Sequence, residues 1–75
     1  MLRLHLRLEQ GALASVFDGI SALGVSPRTL IFRKEEDGSG ALFLELDAMD
    51  QSDSDRFLHQ LRQMPAIRSV AVQDW

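Results

Sequence analysis

The stretch LRLHLRLEQGALASVFDGISALG, residues 2–24, decides the fold, because its hydrophobic period changes part-way along. Leu2, Leu4, Leu6 and Leu8 alternate with Arg3, His5 and Arg7. A period of two predicts a strand with one buried face. After Glu9-Gln10-Gly11, Leu13, Val16, Phe17, Ile20 and Leu23 recur at spacings of three and four, which predicts a helix over residues 12–23 with that stripe on the core. Gly24 stands where a left-handed residue ends a helix, and Ser26-Pro27 opens an extended segment. Gly19 costs about 1 kcal/mol relative to alanine inside a helix, which suggests close packing of that helix onto a sheet.

Further along the chain, residues 28–35 (RTLIFRKE) predict a second strand. Leu30 and Phe32 share one of its faces; Thr29, Ile31 and Arg33 share the other. Asp37-Gly38-Ser39-Gly40 is a turn, with Asp-Gly as its hairpin signal. Residues 41–47 form a third strand, with Leu42, Leu44 and Leu46 inward and Ala41, Phe43 and Glu45 outward. Asp50, Ser52 or Asp53 caps a second helix, whose stripe is Phe57, Leu58, Leu61 and Met64. Pro65 closes it, and residues 66–73 make a fourth strand with Val70 and Val72 inward. The order β-α-β-β-α-β joins two split βαβ units. It implies a ferredoxin-like α+β sandwich: a four-stranded antiparallel sheet of order 4-1-3-2 with both helices on one face, in a single domain over residues 1–75.

Seventy-five residues bury only a small core, and with no cysteine neither a disulfide nor a cysteine metal site can reinforce it. Self-association is the remaining common aid. A homodimer is therefore expected, through sheet edges or the open sheet face, where Ile31, Phe43 and Ile67 supply outward apolar side chains. The net charge of −3 argues against a nucleic-acid partner. No apolar run approaches the ~20 residues of a membrane span, and the alternating start is unlike a signal peptide, so a cytoplasmic protein without a membrane partner is expected.

Catalytic chemistry finds few groups. His5 and His59, the two imidazoles, fall on the outer face of the first strand and off the stripe of the second helix, and each reads as a solvated surface residue. No HExxH, GxSxG or phosphate-loop pattern occurs. Asp50, Asp53 and Asp55 read as a solvated helix start rather than a metal site. No catalytic residue, metal or cofactor is expected, and the chain is read as no enzyme. On the open face Arg3, His5 and Arg7 adjoin Ala41, Phe43 and Glu45. One Phe is poor footing for base stacking, and an Arg–Glu cross-strand pair is the plainer expectation.

The joint at Gly11 is the remaining candidate. The first N–H groups of a helix lack intrahelical partners and carry partial positive charge, which suits a carboxylate. Glycine there lets a ligand approach the backbone closely; it equally permits a plain tight turn.

Around that joint the residues Leu8-Glu9-Gln10-Gly11-Ala12-Leu13, followed by Gly24-Val25, resemble the opening half of an ACT domain, a family of small amino-acid-sensing modules with this element order. Enzyme-linked members such as prephenate dehydratases carry Pro where this chain has Gln10. The short regulatory subunit of acetohydroxyacid (acetolactate) synthase lacks that Pro, and the chain is most similar to it. That resemblance implies a non-catalytic partner of a large catalytic subunit in branched-chain amino-acid biosynthesis, activating it and in many cases carrying feedback inhibition by an amino acid such as valine. It also implies a ligand site in which Gly11 offers its N–H to a carboxylate, Ala12 and Leu13 start the helix over it, and Ser26 stands where the family often has Asn. Ser26 donates one hydrogen bond with a shorter reach than an amide. The alternative is a detached ACT-like sensor of a larger protein, such as the C-terminal domain of an MgtC-type membrane protein, which has a similar layout and a similar valine-rich last strand.

Overall fold

The computed structural model describes residues 1–74. Its elements are β1 (Leu2–Leu8), α1 (Leu13–Ala22), β2 (Thr29–Lys34), β3 (Gly40–Leu46), α2 (Gln51–Arg62) and β4 (Ile67–Asp74). The strands form one antiparallel sheet of order β2-β3-β1-β4, the expected order read from its other edge. No helix among the described residues is long and apolar enough to cross a membrane.

Alternation along β1 decides the layering. Leu2, Leu4, Leu6 and Leu8 are each buried to 2% exposure or less, while Arg3 and Arg7 are exposed. On β3 the inward row is Leu42, Leu44 and Leu46. Val16 and Ile20 of α1 join the same cluster as Phe57, Leu58 and Leu61 of α2, so both helices cover one side of the sheet.

Local chemistry sets the ends. Asp50 caps α2, its side chain accepting the Asp53 N–H at 2.8 Å. Gly24, at φ +77°, follows the last turn of α1 and donates to the Ser21 carbonyl at 3.0 Å. The β2–β3 hairpin closes on a three-residue loop in which Gly38 donates to the Glu35 carbonyl at 3.1 Å and takes φ +87°.

Four expectations change. Phe17 is not in the core but 47% exposed. It lies across α1 from Ser15 and Gly19, which face Met64 beyond α2, and its own flank has no helix beside it. Gly19 accordingly makes room for Met64, whose Cε would lie 2.7 Å from an added Cβ, and not for the sheet. Ile67 faces inward at 8% exposure. The β1–β4 register shifts between Arg7↔Ser69 and Leu8↔Ile67, a bulge that reverses the alternation ahead of Val70 and Val72. His5 is not a solvated residue: its ring stacks on Phe43 with centroids 4.5 Å apart, and its Nε2 is buried without a partner among the described residues. His59 is exposed as expected.

Replacing Leu6 by alanine at the sheet centre should cost roughly 2–5 kcal/mol, against about 1 kcal/mol for Asp50→Ala at the α2 cap; urea denaturation of both variants measures the contrast.

Candidate functional site

The joint between β1 and α1 is a four-residue turn. The Ala12 N–H donates to the Glu9 carbonyl at 3.2 Å, and Gly11 holds φ +72°; among the described residues only glycines have a positive φ. That is a type II turn, whose third position requires left-handed backbone. The helix proper starts at Leu13, one residue later than the pattern predicts, with Ala12 as its N-cap.

Alanine brings no capping side chain, and the first turn holds no acidic residue. The Ala12 N–H is spent in the turn, and the N–H groups of Leu13, Ala14 and Ser15 lie ahead of the first full helical bond, Val16 N–H to Ala12 carbonyl at 3.0 Å. These are the orphan donors of α1, and the helix dipole adds to them. Leu13 and Ala14 line a pocket of about 320 Å³ together with Gly11, Ala12, Phe32, Lys34 and Gly40, among others. The Gln10 side chain lies against the Gly38 backbone, near enough that a Cβ there would sit 2.8 Å from it.

Lys34 and Phe32 are the residues that sequence reading missed. The register places them: Leu8 pairs with Gly40, and Gly40 with Lys34, so the start of the hairpin adjoins the Gly11 turn. With Lys34, the helix end and Glu9 all in its lining, the pocket offers both signs. Glu9 is engaged by Arg68 at 2.9 Å, and this hydrogen bond holds its carboxyl below the ordinary value of 4.5. Asp37 at the hairpin is lowered likewise by the Ser39 hydroxyl and N–H.

Ser26 is elsewhere. It lines a larger cleft of about 450 Å³ past the C-terminal end of α1, with Leu23, Leu46 and Phe57 as apolar wall and Asp53 and Arg56 beside them. Within one chain Gly11, Ala12 and Leu13 share a pocket, and Ser26 does not join them. Among the described residues no group of three or more His, Cys, Asp or Glu is placed to hold a metal ion. The open sheet face carries the expected Arg3–Glu45 pair at 3.0 Å; Glu45 is lowered by the Thr29 hydroxyl and by Arg3.

Neither a known protein family nor a curated protein matches the sequence. The fold is similar to the solution structure of the C-terminal domain of the MgtC protein from Mycobacterium tuberculosis, at TM-score 0.65 and 14% identity, over 95% of this chain and 82% of that one.

Two outcomes are expected. An added Cβ at Gly11 meets nothing within 4 Å, so Gly11→Ala should lose only backbone energy, about 1–2 kcal/mol for a left-handed alanine, read from urea midpoints. Glu9 has a depressed folded-state value, so its pair stabilises above the ordinary glutamate range and that contribution is lost as pH falls through the folded value. Arg68→Ala should therefore be less stable than the parent at neutral pH, and the gap should close as pH falls through the lowered folded-state value of Glu9.

Proposed function

We propose that this chain is a non-catalytic regulatory module of ACT-like layout, which takes a small carboxylate, an amino acid such as valine, at the Gly11–Leu13 joint and passes its bound state to a larger protein. The observation that carries the reading is the uncapped start of α1: Leu13 and Ala14, whose N–H groups have no helical partner, line a pocket of about 320 Å³ that Lys34 also lines. A carboxylate there meets a helix N-terminus and a lysine, and the apolar Leu13 and Phe32 suit an aliphatic side chain. The absence of a converging nucleophile and base in the sequence supports a binding role over a catalytic one. A cytoplasmic setting and a homodimer belong to the same proposal.

The likeness in fold to the MgtC C-terminal domain supports the sensor-domain form of this reading. A second form, the regulatory subunit that binds and activates the large subunit of acetohydroxyacid synthase, rests on the pattern Leu8-Glu9-Gln10-Gly11-Ala12-Leu13. In either form Ser26 acts only if a ligand is shared between chains, because it stands at the far end of α1.

Amide resonances in a titration with valine, leucine and isoleucine test the site. Leu13, Ala14 and Ser15 should shift together and saturate at millimolar ligand, and Lys34→Glu should weaken that binding at least tenfold with the fold intact. Amides that stay still at millimolar concentrations of all three would remove the ligand from the proposal. Co-purification with a thiamine-diphosphate synthase would favour the second form.

A further inference from the structure

We propose that the β4 edge of the sheet, beside the end of α2, holds the phosphate group of a small organic ester between Arg62 and Arg68. The inference goes beyond the Gly11 pocket and needs no ligand there.

The β1–β4 ladder and the return from α2 make the place. Arg7 pairs with Ser69 and Leu8 with Ile67, which leaves Arg68 as the extra residue of a bulge, without a partner on β1. Between α2 and β4 the chain folds back tightly: the Met64 N–H donates to the Leu61 carbonyl and the Ile67 N–H to the Met64 carbonyl, both at 3.1 Å. The last turn of α2 thereby comes to lie beside the outer margin of β4. There Arg62, Ile67, Arg68, Ser69 and Val70 line a cavity of about 270 Å³.

That lining is rich in donors and holds no carboxylate. The cleft at Ser26 includes Asp47 and Asp53, and the Gly11 pocket includes Glu9. Here two guanidinium groups and the Ser69 hydroxyl are the polar side chains. The main chain adds a further donor. The Glu9 N–H donates to the Ala66 carbonyl at 2.9 Å, so the odd-numbered residues of β1 bond towards β4. Val70 lies opposite Leu6, an even-numbered residue, and so turns its N–H to the free edge of the sheet. The apolar side chains of Ile67 and Val70 are left for the organic part of a ligand.

Charge then selects the anion. Arg62 has no ion-pair partner among the described residues. Its place in the last turn of α2 suits the helix dipole, but the dipole gives no reason for a second arginine on the same cavity. Arg68 holds Glu9 through Nη2 at 2.9 Å. A guanidinium carries five N–H donors, so Arg68 keeps others for a ligand while the Glu9 bond stands. The two oxygens of a carboxylate match the fork of a single guanidinium. The three terminal oxygens and near-double charge of a phosphate monoester match two guanidiniums that arrive from separate elements.

The probe is phenyl phosphate, followed in amide spectra at low ionic strength because exposed arginines are screened by salt. The Arg68, Ser69 and Val70 amides should shift together and saturate at millimolar ligand. Arg62→Gln, at an exposed position, should weaken that response about tenfold with unchanged circular dichroism. Leu13, Ala14 and Ser15 should respond in Arg62→Gln as they do in the parent, which separates this site from the Gly11 pocket. Benzoate and phenol should each bind at least tenfold more weakly than the ester. Vesicles carrying phosphatidic acid distinguish a lipid headgroup from an ester in solution, and the protein should not sediment with them. Silence of the three amides at millimolar phenyl phosphate, a response that survives Arg62→Gln, or benzoate bound as tightly as the ester would each overturn the proposal. So would equal shifts with sodium chloride at matched ionic strength, which mean an adventitious ion only, and so would vesicle binding that Arg62→Gln abolishes.

Discussion

The inward row Leu2, Leu4, Leu6 and Leu8 lies on a central strand that is hydrogen-bonded on both sides, and the other elements take their places from it. Each leucine is worth roughly 1.5–3 kcal/mol when removed from water, and together they need cover along the whole strand. Two short helices supply it. Because β1 is paired to β3 and β4 at once, its register fixes which β3 side chains join the core and which face out. A slip of one residue would put four leucines in water and Arg3, His5 and Arg7 against the helices.

The two helices begin in opposite ways, and the difference locates the candidate site. α2 starts on Asp50, which satisfies one of its free donors, and has Asp53 in the first turn. α1 starts on Ala12, with neither. The type II turn at Gly11 delivers the chain into α1 so abruptly that no side chain caps its first N–H groups; the Ser15 hydroxyl donates to the Ala12 carbonyl. Water or a ligand must meet those donors instead. A helix start left unsatisfied by its own chain is a local cost in stability, and pockets that bind anions are commonly made at such a cost.

Much of the architecture was legible in the residues, and the exceptions share a cause. Period two in residues 2–8, period 3.6 in 13–23 and the Asp-Gly turn lead directly to the element order, and Asp50 and Gly24 stand at the expected helix ends. Phe17 and Ile67 broke the pattern because a helical stripe says which side is apolar, not how wide a neighbour will cover it, and because a bulge has no periodic signature. His5 reads as a solvated member of an exposed row even with Phe43 expected beside it, because alternation says nothing of the ring stacking that buries its Nε2. At the candidate site, Gly11, Ala12 and Leu13 were visible from sequence, but Lys34 and Phe32 enter through strand register, which one chain's local pattern does not state. The separation of Ser26 from Gly11 follows from the ten-residue length of α1, about 15 Å from end to end.

The register shift beside Arg68 does more than turn Ile67 to the core. A sheet whose two margins were equally receptive could add copies at both and lengthen into a fibre. Here the β4 margin is distorted by two register shifts, which makes it a poor template for a further strand. Uncontrolled strand-by-strand growth is hindered on that side by geometry alone, with no charge or proline needed to block it.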